Sequence, residues 1–299
     1  MAGDYQLCGW RVRSDLSLPE LLPWTGAAEK LPDVTITAGP VPQELTKPRI
    51  AGKWRSIGTD GSVLLNIHNV TRILVQNGAS ITVDILQQDS TASWRLFLLG
   101  SALGFLCHQR GLFPLHAATV KIGNRTVALA GHSQVGKSTL AFELTRRGHG
   151  LLSDDVTVLR MEPKIEVLPA FPRLKLWRAT LTALGIETTG LPRVRETMEK
   201  YDLRPRAGFD PAFVPLDAIV SLRDGPEPIV LARSQAEAMP LVNGYVFRRQ
   251  GALHLGRRVA LFAQAALIAN TVPVYSLERP KRFDTLPAAA ALIEGLFGP

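Results

Sequence analysis

The run Gly131-His132-Ser133-Gln134-Val135-Gly136-Lys137-Ser138-Thr139 constrains this chain more than any other stretch. It reads G-x-x-x-x-G-K-[ST], the Walker A pattern, in which backbone N–H groups cradle phosphate. A short apolar run, Val127-Ala128-Leu129-Ala130, precedes it, and a helical pattern follows from Ser138 to about Arg147. Strand, glycine loop and helix is the context the motif needs. The loop amides and the positive end of the helix then face one anion. Gly131 to Thr139 are therefore expected to hold nucleotide phosphates, with Lys137 neutralising the terminal ones and Ser138 holding a magnesium ion.

A carboxylate near the metal is the second requirement of such a site. Asp154-Asp155 supplies it, 17 and 18 residues after Lys137. That spacing leaves room for one helix and one turn, so the strand carrying the acids is expected to return beside the phosphate loop. Adjacent residues on a strand point to opposite faces unless the strand bends. One acid can then serve magnesium while the other meets a substrate hydroxyl as a general base. The short spacing argues against a motor or a small GTPase. His116 lies among Leu115, Ala117 and Ala118, a pattern that by itself reads as a hydrogen-bonded core histidine.

The 299 residues and the +8 net charge fit an ordinary globular chain that favours anionic partners. The basic residues are scattered, and zinc-finger spacing, aromatic RNA-binding signatures and heptads are absent, so nucleic acid is not an expected partner. No apolar run reaches the roughly 18 residues of a membrane span. Met1 to Trp10 lacks the basic start and apolar stretch of a signal peptide, and the expected location is cytoplasmic. Cys8 and Cys107 sit in apolar surroundings and read as buried free thiols.

Residues 5–86 read as mostly antiparallel β structure, with Asp60-Gly61 and Asn77-Gly78 as tight turns. The chain divides into a β-rich region, 1–88, and a loop-bearing unit, 89–299. Asp89 or Ser90 caps a buried helix that runs to about Arg110 and stops at Gly111. Gly123-Asn124 turns one strand into the strand that delivers the loop. Arg178 to Leu184 is helical, and Arg193 to Phe209 reads as an exposed loop. Ala218 to Leu222 and Ile229 to Leu231 read as strands joined by a Gly-Pro turn. Ser234 and Glu237 form a capping box. Val259 to Asn270 and Leu286 to Phe297 are helices flanking a short strand, Val274 to Leu277. The fold class is α/β with a mixed sheet.

Four strings carry a family resemblance: Leu115-His116-Ala117, the G-x-S-x-x-G-K-S-T loop, Arg147-Gly148-His149 and Ser153-Asp154-Asp155. In order and spacing over about residues 112–160 they resemble the HPr kinase/phosphorylase family, itself related to nucleotide-dependent phosphoenolpyruvate carboxykinases. Pro172-Arg173-Leu174-Lys175-Leu176-Trp177, Lys200-Tyr201 and Pro273-Val274-Tyr275 resemble the HPr-kinase-like proteins of bacterial peptide-tailoring clusters. Some of those phosphorylate the C-terminal serine of a lasso-peptide precursor. The resemblance implies a P-loop kinase core that uses ATP and Mg²⁺ on a peptide or small protein. It implies that Lys137 binds the β- and γ-phosphates, Ser138 binds magnesium, Asp154 is the general base, Asp155 is the metal-side acid and His116 contacts the acid. Arg173, Lys175, Lys200 and Arg204 are candidates for gripping the phosphate or the peptide.

The chain departs from the family in two places. Gln134 replaces a common loop glycine, and the R-G-x-G-[IL] stretch downstream is absent, which points away from HPr as the acceptor. The favoured reading is a serine kinase. A small-molecule phosphotransferase of carboxykinase or sugar type, and a nucleotide-binding module without chemistry, are the alternatives. Oligomeric state is left open.

Overall fold

The computed structural model describes residues 3–87, 91–205 and 209–298. The N-terminal β region forms a nine-stranded sheet between Gly3 and Ile85. Alternation makes its inner face: Thr71–Gln76 buries Thr71, Ile73 and Val75 and turns the residues between them outward. Asn77 and Gly78, at φ 54° and 63°, turn that strand into Ser80–Ile85. The sheet is mostly antiparallel, as the turns imply. Val34–Ala38 is the exception and runs parallel to both neighbours, Trp10–Ser14 and Ser80–Ile85. The long, proline-interrupted connections on either side of it allow the crossovers that parallel pairing needs.

The expected cap at Asp89 or Ser90 lies outside the described residues. The helix itself runs from Trp94 to Gln109, with one wider π turn at Leu98–Ala102, and ends before Gly111 at φ 79°. It shares a core with the nine-stranded sheet, where Leu98, Leu103 and Phe105 meet Ile73 and Val83. Each such side chain contributes about 1.5–3 kcal/mol when fully buried. Cys8 and Cys107 are free thiols in this core, and burial pushes the Cys107 thiol up to about 12.

The phosphate loop belongs to a six-stranded mixed sheet. Its order is Gly150–Ser153, Ala117–Ile122, Arg125–Ala130, Ala218–Asp224, Val274–Arg279, Ile229–Ala232. Helices cover both faces. Lys137–Arg146 and Leu286–Phe297 pack with Ala118, Val120, Leu129 and Val220 on one side. Gln235–Gly244 and Arg258–Thr271 pack with Ala117, Ala128, Ile219 and Val274 on the other. Burial on both faces explains why the central strands are apolar runs without alternation. The Ser234–Glu237 capping box is present, with Glu237 N–H donating to Ser234 Oγ at 3.4 Å and Ser234 N–H to Glu237 Oε2 at 2.9 Å.

The acid-bearing strand returns beside the phosphate loop as expected, with Ala117–Ile122 lying between it and the loop strand and pairing antiparallel with both. Two expectations need correction. Val274–Arg279 inserts between Ala218–Asp224 and Ile229–Ala232, parallel to the first, because the helices between residues 235 and 271 form the crossover. Within the stretch read as an exposed loop, Lys200–Leu203 is a strand paired with Leu174–Trp177, and Tyr201 and Asp202 are buried. Four residues with two charges carry too little alternation to announce a strand. Among the described residues, no helix is long and apolar enough to cross a membrane.

Candidate active site

Two chain segments change sheets at the same place. Phe113–Leu115 pairs with Thr157–Arg160 in a four-stranded sheet, and after His116 the chain continues as Ala117–Ile122 in the six-stranded one. In the other direction, Gly150–Ser153 leaves the six-stranded sheet, and after Asp154-Asp155 the chain becomes Thr157–Arg160. Asp155 takes φ 69°, a left-handed conformation that aspartate tolerates better than most residues. This is the bend that lets neighbouring acids serve one site. Below it, Thr157 Oγ1 joins Thr119 Oγ1 at 2.7 Å and Ser153 Oγ at 2.9 Å, and donates to Ala117 O at 3.2 Å. All three hydroxyl residues are fully buried, so the cluster fixes the crossing.

The loop has the strand and helix its pattern requires. Gly131 and Gly136 adopt φ 151° and 100°, and Gln134 sits at φ 67°, the conformation that a glycine takes at no steric cost. Lys137 opens the helix and is buried. Its Nζ donates to Gly131 O at 2.8 Å, to His132 O at 2.9 Å and to His116 Nε2 at 3.1 Å. His116 Nδ1–H donates to Asp155 O at 2.9 Å. Burial, and then the Lys137 charge, lower the His116 pKa to about 4, so the ring is neutral and can accept from the lysine. Burial lowers Lys137 to about 8, against the pull of Asp155 and Asp154.

The two acids have different surroundings. Asp154 Oδ1 accepts from Ser138 Oγ at 2.7 Å and Oδ2 from Lys175 N–H at 3.1 Å. Burial and the neighbouring Asp155 charge push its carboxyl up. Asp155 pairs with the Lys175 ammonium. Burial alone would raise it, but Lys175 and Lys200 outweigh burial and hold it well below the usual carboxylate range. Neighbouring carboxyls driven in opposite directions are the arrangement expected of groups with separate tasks. Ser138 and Asp154 also present the paired oxygens that magnesium takes, alongside phosphate and water.

Two hollows meet here. One, of 480 Å³, is lined by the loop from Ser133 to Thr139 together with Trp177, Arg279 and Lys281. The other, of 660 Å³, is lined by Gly131, His132 and Ser133 and reaches Trp54, Arg55 and Arg248. His116, Ser133, Asp155, Lys175 and Lys200 line both. Thus the structure brings together the loop, His116, both acids, Lys175 and Lys200. Arg173 and Arg204 stand apart. They flank Asp202, at 2.7 and 2.9 Å, and line a separate hollow of 440 Å³ with Glu20 and Arg95.

Reading the residues in order missed Arg279. It is buried, and a Cβ on Gly136 would lie 2.6 Å from its Nη2. It ends a strand parallel to the loop strand through Ala218–Asp224. The rule that ligands gather at the carboxyl ends of parallel strands was the available signal. Trp54, Arg55 and Arg248 had none, because two come from the β-rich region and one from a loop.

No family model matches the chain. Part of it is similar to HPr kinase/phosphorylases. It is 37% identical over 93 residues to the Chlorobium luteolum protein, which is 31% of this chain and 26% of that one. It is 41% identical over 68 residues to the Pelodictyon phaeoclathratiforme protein, 22% and 20% of the two chains. It is 35% identical over 75 residues to the Listeria welshimeri protein, 25% and 24%. The chain therefore spans about a quarter of the length of these relatives. The solved HPr(Ser) kinase/phosphatase from Coxiella burnetii superposes with a TM-score of 0.35 at 14% identity, over 61% of this chain and 89% of that one.

Proposed function

We propose that the chain is an ATP- and magnesium-dependent kinase that phosphorylates a serine hydroxyl of a peptide or small protein. The observation that carries this reading is the meeting of the two hollows at Asp155, Lys175, Lys200 and His116. A nucleotide held by the loop in one would present its terminal phosphate to a hydroxyl held in the other. Lys137, the loop amides and Arg279 supply positive charge around the transferring group, where positioning and electrostatics do most of the work. A bound magnesium would add charge neutralisation between the phosphates. Ser138 and Asp154 are the residues placed to hold it.

In this reading the acids exchange the parts that the family resemblance implies. Asp154 is the metal-side acid, because Ser138 donates to it. Asp155 faces both hollows and, kept ionised by Lys175 and Lys200, accepts the hydrogen bond of the attacking hydroxyl and orients it as the base-side acid. The partial similarity to HPr kinase/phosphorylases supports phosphoryl transfer to a protein hydroxyl. The likeness of Pro172 to Trp177 to proteins of peptide-tailoring clusters supports a finer reading, in which the acceptor is the C-terminal serine of a lasso-peptide precursor in the cytoplasm. The division at 88/89 then makes residues 1–88 a scaffold that contributes one wall of the acceptor hollow.

The test is incubation with ATP, magnesium and serine-containing peptides, read as the mass gain of one phosphoryl group on serine. Transfer that disappears in Lys137→Ala supports the reading. ATP binding without transfer to any hydroxyl overturns it.

A further inference from the structure

The acceptor hollow contains two arginines that, among the described residues, have no carboxylate within ion-pair distance, Arg55 and Arg248. Arg55 starts the strand Arg55–Gly58 of the nine-stranded sheet, and Arg248 precedes the short helix Arg249–His254. Both guanidinium groups lie against the Trp54 ring, at 5.0 and 5.1 Å from its centroid. Neither meets a carboxylate within ion-pair distance among the described residues, and the Nε of each is buried without a hydrogen-bond partner. Among the described residues, the side-chain hydrogen bond of the pair is Arg248 Nη2 donating to Ser101 Oγ at 2.6 Å. Ring contacts of this kind are worth about 0.5–2 kcal/mol and leave the charge in place. Two half-buried arginines without counter-ions are costly unless a ligand completes them.

Their placement is also held firmly. Arg248 has φ 54°, a conformation unfavourable for a side chain of its kind. Strain of this sort persists where the surroundings enforce it, and it clusters at ligand sites. The enforcing contacts run to the catalytic junction: Phe247 N–H donates to Pro114 O at 2.8 Å, and His116 N–H to Tyr245 O at 2.7 Å. The segment that carries Arg248 is thus pinned on both sides of the bend that carries His116.

We infer that Arg55 and Arg248 bind a carboxylate of the acceptor, close along its chain to the hydroxyl that is phosphorylated. The inference rests on the reading of this hollow as the acceptor side. A planar guanidinium matches a carboxylate through two parallel N–H···O bonds, and the free N–H groups here are those of two such forks. The acceptor's carboxylate is either its chain terminus or an acidic side chain, and both present the same group.

The test uses the full chain and three pools of hexapeptides that contain one serine. One pool ends in serine as the free acid, one ends in serine carboxamide, and one is the carboxamide with aspartate beside the serine. Equilibrium dialysis with mass detection reads binding without requiring turnover. Retention of the free-acid or the aspartate pool about tenfold or more above the plain carboxamide is expected, the scale of a charge-assisted hydrogen bond. Which pool is retained identifies the source of the carboxylate. The double variant Arg55→Gln/Arg248→Gln should erase the difference, and Arg55→Lys/Arg248→Lys should restore only part of it. Melting temperatures check that each variant is folded. Equal retention of all three pools by the unaltered chain overturns the inference. A preference that survives the glutamine pair also overturns it. Adding ATP and magnesium to the same dialysis separates this result from the kinase reading: carboxylate-dependent binding without phosphoryl transfer upholds the inference and sinks the kinase.

Discussion

The exchange of roles between Asp154 and Asp155 can be tested with two isosteric variants. In Asp154→Asn, the Ser138 hydroxyl keeps an amide oxygen to donate to, but Lys175 N–H loses its acceptor. Losing one net hydrogen bond costs about 0.5–1.5 kcal/mol. Removing a carboxyl that burial disfavours offsets part of that, so the fold should hardly change. In Asp155→Asn, the Lys175 ammonium, on a side chain only 9% exposed, loses its partner. Breaking a fully buried pair costs about 3–5 kcal/mol. The Asp155 side chain is 29% exposed, so solvent screens part of this and about 2–3 kcal/mol remains. That corresponds to a fall in melting temperature of roughly 4–6 °C for a chain of this size.

The functional signatures differ more sharply. Asp154→Asn should weaken Mg·ATP binding, read by calorimetry, about 10–100-fold and leave magnesium-free ATP unaffected. Asp155→Asn should bind Mg·ATP normally and lose about 10²–10⁴-fold in kcat at saturating ATP. The reasoning is refuted if Asp155→Asn is the variant that loses magnesium dependence while Asp154→Asn loses only kcat. The allotment implied by the family resemblance would then be the correct one.

Three further outcomes follow from the same geometry. Lys137 has its folded pKa lowered to about 8, so between about pH 8 and its unfolded value of about 10.4 the unfolded chain binds more protons and stability rises with pH. Lys137→Met should remove that rise, measured as the difference between the two melting-temperature profiles; parallel profiles would contradict it. Gln134→Gly exchanges a left-handed strain of about 1–2 kcal/mol for a glycine entropy cost of about 0.5–1 kcal/mol. The variant should therefore be as stable or slightly more stable in denaturant melts and should retain ATP binding, whereas a loss of stability would mean that the Gln134 side chain has a role of its own. Thr157→Val strands the Thr119 and Ser153 hydroxyls in a dry crossing and should cost about 1–3 kcal/mol in urea unfolding; a neutral result would show that the cluster does not fix the junction.

The donor half of the site was legible because its chemistry is local. A glycine pattern, one lysine and one hydroxyl are consecutive, and the flanking strand and helix announce themselves by apolar runs. The acid pair was legible as an interruption of an apolar stretch, yet its geometry was not. The left-handed turn at Asp155 and the change of sheet at His116 depend on pairings between residues about 40 apart. The two-stranded ladder of Leu174–Trp177 with Lys200–Leu203 stayed hidden for a similar reason, since Lys175 faces Asp202 only after folding. Arg173 and Arg204 looked like ligands for an anion because Asp202, which occupies them, was read as part of a loop. Trp54, Arg55 and Arg248 converge from three-dimensional neighbourhood alone, and no periodicity encodes that. Turns and caps were legible throughout, because Asn77-Gly78, Gly123-Asn124 and Ser234 with Glu237 act within a few residues.

Lys137 also sets how affinity for nucleotide must be understood. In the structure its ammonium spends all three N–H groups on Gly131 O, His132 O and the His116 ring. A phosphate that recruits this lysine therefore competes with an internal ligand set, and the measured affinity is that of a displacement. The carbonyls of the loop act as a resident competitor at fixed, intramolecular concentration. Substitutions at His116 would then alter ATP affinity through Lys137. Weakening the competitor should tighten binding, the opposite of what removal of an active-site residue ordinarily does.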